Sequence, residues 1–214
     1  MEFTRFNPQP HSFPKPRAPL LPFKPALDWR KVVSVAAPQS KTFKHFSRGR
    51  YALAQAYRLA GVGTSGDLLA PAYHCVTMLD PALSLDANVR LYPLRPDLTP
   101  DLAALEQLLK QPGNTVKGLL ATHFFGFVQD FGPLKKWCNS HDITLIEDCS
   151  HILYTEKFQA SGAGRSGYFV CSSPYKFFAC EDGGLLHCQD EALLQGVTTS
   201  TPGLLDELRA IKHG

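Results

Sequence analysis

The sequence predicts an α/β domain of three layers, a mostly parallel sheet flanked by helices. Three observations predict it. Apolar runs of strand length alternate with segments of helical periodicity at intervals of roughly 25 residues, the pattern of strands joined by crossover helices. The runs, such as Leu119-Leu120-Ala121 and Leu145-Ile146, are apolar at successive positions, as strands covered on both faces require. One run ends in Asp148 and the next leads to Lys176, and open α/β sheets carry their ligand-binding groups just outside the carboxyl ends of strands.

Residues 1–45 are rich in proline (Pro8, Pro10, Pro14, Pro16, Pro19, Pro22, Pro25), at a density that excludes helix and central strand. They read as an extended arm, either partly disordered or laid along a partner subunit with Phe13, Phe23 and Trp29 as anchors. Ser47-Arg48-Gly49-Arg50 then precedes a helix over 51–60, built from good helix formers and stopped by Gly61 and Gly63. A buried strand follows over 68–73, with the next helix opening at 74–77. A second strand covers 88–94. Thr99 caps the following helix with Pro100 at its first position, and Leu102, Leu105, Leu108 and Leu109 form its apolar stripe. A third strand over 116–123, a helix over 131–140 and a fourth strand over 144–148 continue the alternation. The run from Tyr168 leads to Lys176, and 183–188 returns after too few residues for a parallel crossover, so it is expected to be antiparallel. Residues 192–213 look helical in parts, interrupted by Thr201-Pro202-Gly203. The division expected is an arm over 1–45, a large domain over 46–195 and a helical segment over 196–214.

A chain of 214 residues has room for one domain, or one with a small appendage. A net charge of +3, scattered in short pairs such as Lys135-Lys136, argues against a nucleic-acid partner. No stretch approaches the roughly 18 apolar residues of a membrane span, and the N-terminus lacks a secretory pattern. Membrane partners are not expected. Six cysteines occur without a C-x-x-C spacing and mostly inside apolar runs, which points to free thiols in a reducing cytoplasm. A zinc site from Cys180, His187 and Cys188 is disfavoured, because adjacent strand residues point to opposite faces. No metal is expected.

Lys176 lies among Pro174, Tyr175, Phe177 and Phe178, where desolvation disfavours the ammonium and leaves a nucleophilic amine. The plainer reading is a surface lysine with a buried stem. Asp148 at a strand end needs a partner for its charge, in a cap, a salt bridge or a protonated heterocycle. Glu147 alternates to the other face and reads as structural. His151, one helical turn on, could face the same ligand. Ser172 and Ser173 suit either a turn or a phosphate. Gly49 and Arg50 open a helix, and its first-turn amides form an ordinary cap or a phosphate seat. A strand-end acid beside a strand-end lysine is what pyridoxal 5'-phosphate chemistry needs: an amine for the Schiff base and a carboxylate to keep the pyridine nitrogen protonated.

Four segments, SRGRYALAQAYRLAGVGTSGDLLAPAYHC, ATHFFGFVQD, LIEDCSH and SSPYKFFACEDGGLL, stand in an order and spacing that resemble the large domain of the DegT/StrS group of fold-type-I aminotransferases, over about residues 46 to 190. That resemblance implies transfer of an amino group from a donor such as glutamate to a keto-sugar, usually nucleotide-linked, in a cytoplasmic homodimer. It implies Lys176 as the Schiff-base lysine and proton carrier, Asp148 on the pyridine nitrogen and His151 at the ring hydroxyl. Gly49 and Arg50 stand at the family's Gly-Thr phosphate amides, with Ser173 or Ser172 adding a hydroxyl. The ring-stacking position falls at Cys75, with Tyr73 or His74 as alternatives. The family's C-terminal small domain is expected to be absent here. The rival readings are a sugar dehydratase, which would carry histidine in place of Lys176, and a cofactor-binding or partner-binding remnant without catalysis. A plain nucleotide-binding module lacks its G-x-G-x-x-G.

Overall fold

The computed structural model describes residues 43–152, 162–178 and 183–199. The arm over 1–42, Cys180, Asp182 and the Thr201-Pro202-Gly203 break lie outside the described residues. Strands β1 (Lys44–Phe46), β2 (Asp67–Pro71), β3 (Val89–Tyr92), β4 (Val116–Thr122), β5 (Thr144–Asp148), β6 (Phe169–Ser172) and β7 (Gly184–Cys188) form one sheet in the order β1-β7-β6-β5-β4-β2-β3. The run from β3 to β6 is parallel, whereas β7 is antiparallel to both β6 and β1. The expected α/β fold with a mostly parallel sheet is therefore what the chain adopts.

Each central strand buries both faces, and neighbouring residues serve different layers. On one side Leu68, Ala70, Leu120, Ile146 and Cys171 pack under helices α1 (Gly49–Leu59) and α2 (Val76–Leu83). On the other, Leu69, Leu119, Ala121 and Leu145 meet α3 (Leu102–Leu109) and α4 (Gly132–Ser140). A short α5 (Glu191–Gln195) adds Leu194 to the first layer. Burying the leucine and isoleucine side chains contributes about 1.5–3 kcal/mol each, and the alanines less, which is why the alternation survives whatever the local propensities. The Tyr57 hydroxyl donates to the Met78 carbonyl at 2.9 Å and ties α1 to α2.

Several boundaries differ from expectation for identifiable reasons. Lys44 and His45, read as part of the arm, belong to an edge strand held to β7 by main-chain bonds. α1 begins at Gly49, two residues early, because the Arg48 carbonyl accepts the Tyr51 and Ala52 amides. Thr99 does not cap α3. Pro100 is bridged to Leu94, and Asp101 caps the helix by accepting the Ala103 and Ala104 amides. α2 starts at Val76 with Cys75 at its N-cap, leaving His74 outside, its Nδ1 2.9 Å from the Pro71 carbonyl oxygen.

Candidate active site

The carboxyl ends of β2, β5 and β6 open onto the N-terminus of α1, and a cavity of about 250 Å³ lies between them. Cys75, Thr77 and Met78 follow β2. Asp148 ends β5, with Ser150 and His151 just beyond. Ser173, Tyr175 and Lys176 follow β6, and Arg48, Gly49 and Arg50 come from the start of α1. Residues scattered from 48 to 176 in the chain thus meet at one place.

Asp148 is 4% exposed and shares its face of β5 with Ile146, towards α1. One carboxylate oxygen accepts the Ser150 amide at 2.8 Å. In parallel register beside it stands Thr122, whose buried Oγ1 has no hydrogen-bond partner among the described residues. Glu147 faces the other way and is fully used. It accepts His123 Nε2–H at 2.7 Å and the amides of Gly164, Ser166 and Gly167 at 2.5, 2.9 and 2.7 Å. Burial pushes its carboxyl up, but the His123 bond and the Gly167 and Gly164 amides outweigh that and hold it below its ordinary value. His123 Nδ1 accepts the Gln129 amide at 3.0 Å, so its proton sits on Nε2. His123, Glu147 and Cys149 lie close enough to suggest a metal site. The carboxylate and imidazole are already engaged with hydrogen-bond partners, and burial followed by the two nearby acids raises the Cys149 thiol pKa. The cluster is a structural hub that pins the 162–167 loop to β4 and β5.

The opening of α1 is built for close approach. Arg48, its N-cap residue, makes no side-chain cap and no acid stands in its first turn, and its positive end faces the cavity. A Cβ on Gly49 would fall on Ser173 Oγ, and Ser173 Oγ lies 3.0 Å from Ser150 Oγ. A Cβ on Gly184 would meet the Arg48 carbonyl, and the Gly183 amide donates to the Ser47 carbonyl at 2.7 Å. The helix start is thereby seated against β7. The Arg48 guanidinium lies 5.4 Å from the Tyr175 ring centroid, a cation–π distance.

Of the residues singled out in the sequence, Lys176, Asp148, His151, Gly49, Arg50, Ser173 and Cys75 line the cavity. Lys176, however, is exposed there rather than desolvated among its apolar neighbours as expected, with Phe178 itself 57% exposed. Ser172 does not line the cavity. It is the last residue of β6, and alternation turns it away from the α1 side that Cys171 occupies. Tyr73 and His74 are also absent from the lining, so Cys75 alone represents that loop segment. Ser150 and Arg48 also line the cavity, although neither was picked out from the sequence as a site residue. Spacing offered a signal for Ser150, two residues past Asp148, but its pairing with Ser173 joins two distant stretches and is not legible locally. Burial, then the Lys176 cation, lowers the His151 imidazole pKa below the ordinary histidine value, against an opposing pull from Asp148.

A family model described as the DegT/DnrJ/EryC1/StrS aminotransferase family matches residues 44–203. Among solved structures, the fold is similar to the aminotransferase TlmJ from Streptoalloteichus hindustanus, with 21% identity, TM-score 0.62, and coverage of 72% of this chain and 42% of that one. It is similar to NtdA from Bacillus subtilis with bound cofactor PMP, at 19% identity and TM-score 0.61, over 71% of this chain and 34% of that one. Helicobacter pylori PseC, an aminotransferase involved in the biosynthesis of pseudoaminic acid, matches at 18% identity and TM-score 0.59, over 72% and 41%. This chain spans less than half the length of each of these three structures.

Proposed function

Because the chain belongs to the DegT/DnrJ/EryC1/StrS aminotransferase family, we propose that it carries the cofactor-binding part of a pyridoxal-phosphate-dependent aminotransferase. The acceptor proposed is a keto-sugar, nucleotide-linked, and the donor an amino acid such as glutamate. One observation carries the reading: Asp148 and Lys176 line a single cavity with the open N-terminus of α1.

The residues present fit the cofactor. Asp148 is a buried carboxylate with an orphaned Thr122 hydroxyl in register beside it, a polar floor that a protonated ring nitrogen would complete. The amides at Gly49 and Arg50, with Ser173, suit a phosphate, and Gly49 is held to a hydrogen by the approach of Ser173 Oγ. When bound, the cofactor supplies an electron sink and a carrier for the amino group. Asp148 would keep the pyridine nitrogen protonated, and Lys176 Nζ would anchor the cofactor and move the proton during transfer. His151 would donate to the ring hydroxyl, and Cys75 would form a wall of the ring pocket.

A homodimer with the site between subunits is proposed with it. The support is the rim: Tyr73 and Phe125 are 55% and 59% exposed and pack on one another at the edge of the site. No helix among the described residues is long and apolar enough to cross a membrane. A cytoplasmic setting suits the five described cysteines, all free thiols.

The test is the visible spectrum of the purified chain after adding pyridoxal phosphate, with borohydride trapping and peptide mapping, beside Lys176→Ala. A yellow species trapped on Lys176 and lost in the variant supports the reading. A colourless chain with no trapped lysine overturns it in favour of a partner-binding role without catalysis. Release of the keto acid from glutamate in the presence of a keto-sugar nucleotide tests the substrate assignment.

A further inference from the structure

Between β4 and α4 the chain makes a tight 3-10 turn, Phe124–Gly126, in which Phe125 has φ 55° and Gly126 φ 85°. A left-handed backbone is unremarkable for the glycine. For Phe125 it is disfavoured by about 1–2 kcal/mol, and its ring is 59% exposed, so burial of that ring does not account for it. The turn instead aims a main-chain group. The amide at the start of a helical turn has no acceptor within the turn, and the Phe125 N–H donates to His151 Nδ1 at 3.3 Å. The Phe125 ring lies 6.1 Å from the His151 ring with planes 23° apart, and Tyr73 braces Phe125 from 6.0 Å.

We propose that Phe125 is a positioning residue that holds His151 as the neutral Nε2–H tautomer, so that the imidazole reaches the cofactor ring only as a hydrogen-bond donor. The proposal rests on the reading of His151 as a contact of that ring. An Nδ1 that accepts an amide proton carries none of its own, which leaves Nε2–H as the nitrogen able to donate. Protonating Nδ1 would set two donors against each other. The charged groups facing the ring are Lys176 and Asp148, and the influence of Lys176 acts in the same direction as the turn. His123 is held in the same tautomer by the Gln129 amide, so the same turn region fixes two imidazoles by main-chain N–H groups.

The test uses the full chain without cofactor, labelled with ¹⁵N-histidine, its His151 signals assigned by His151→Gln. The expected spectrum shows a protonated Nε2 and an unprotonated Nδ1. Phe125→Asn, which tolerates the left-handed backbone and keeps the amide, retains that tautomer. Phe125→Val resists positive φ, so the amide swings away. Both tautomers then appear, and the His151 titration midpoint rises by about one pH unit, the size of one hydrogen bond. Retention of pyridoxal phosphate weakens about tenfold in the same variant. A wild-type spectrum with the proton on Nδ1, or a Phe125→Val spectrum unchanged from wild type, overturns the proposal. Should Phe125→Val fail to fold, wild type labelled also with ¹⁵N-phenylalanine decides it: a scalar coupling across the Phe125 N–H to His151 Nδ1 bond supports the proposal, and its absence overturns it. A wild-type chain that binds no cofactor overturns the functional reading, while the tautomer spectrum still decides this one.

Discussion

Replacing Gly49 by alanine should destabilise the chain, although helix propensity argues the other way. Gly49 is the first residue of α1, and alanine there gains up to about 1 kcal/mol relative to glycine in a helix. The added methyl, however, lands on Ser173 Oγ, with Ser173 Cβ at 3.4 Å and the Ser172 carbonyl oxygen at 3.7 Å. Only the hydroxyl is in the way. Overpacking of this kind costs about 1–3 kcal/mol, so the net loss expected is up to about 2 kcal/mol by urea unfolding. Ser173→Ala removes the obstructing atom and leaves Ser150 without its partner, a loss of about 1 kcal/mol. In that background Gly49→Ala should turn neutral or stabilising. The double-mutant cycle therefore shows a coupling of about 1–2 kcal/mol between two residues far apart in sequence. Gly49→Ala that stabilises the wild type, or that costs the same in both backgrounds, refutes the packing argument and with it the close seat proposed for a phosphate.

Glu147→Gln should cost about 3–4 kcal/mol at neutral pH, since an amide oxygen cannot accept four N–H donors and its own NH₂ would face them. The folded carboxyl sits below its ordinary 4.5, so its contribution is whole above that value and fades as pH falls through the folded value; acid unfolding curves of the variant should be shallower in that window. Asp101→Ala should lower stability by about 1 kcal/mol through the lost cap on α3, whereas Thr99→Ala should change it less. Under native conditions Cys75 should react with a thiol reagent well before Cys138, Cys149, Cys171 or Cys188, as read by peptide mass mapping. Burial shields the four and raises their thiol pKa values, that of Cys138 to about 12.

What the sequence made legible follows from the range of the forces involved. The central strands announce themselves because layers on both faces demand apolar residues at consecutive positions, as in Leu119-Leu120-Ala121. The reversal at β7 was legible from chain length alone. β1 was not, because Lys44-His45-Phe46 is an edge strand held by main-chain bonds, which leave no mark on side-chain pattern. Thr99-Pro100-Asp101 misled because two capping residues compete there, and the Leu94–Pro100 bridge, a tertiary pairing, moves the helix start past the proline. Within the site, Asp148 and Lys176 could be placed by strand ends. The Ser150–Ser173 pair and the Phe125–His151 bond each join separate loops, and no local pattern encodes such a meeting.

Adjacent acids at the end of β5 give the strand a way of proofreading its own alignment. A slip of one residue would exchange their faces, sending the longer glutamate into the cavity and the shorter aspartate towards the 162–167 loop. An aspartate side chain is one methylene too short to gather the three amides and the imidazole that Glu147 holds. The misaligned sheet would then carry unmet donors in its interior and lose its competition with the native pairing. The acid that never touches the cavity thus decides which acid does.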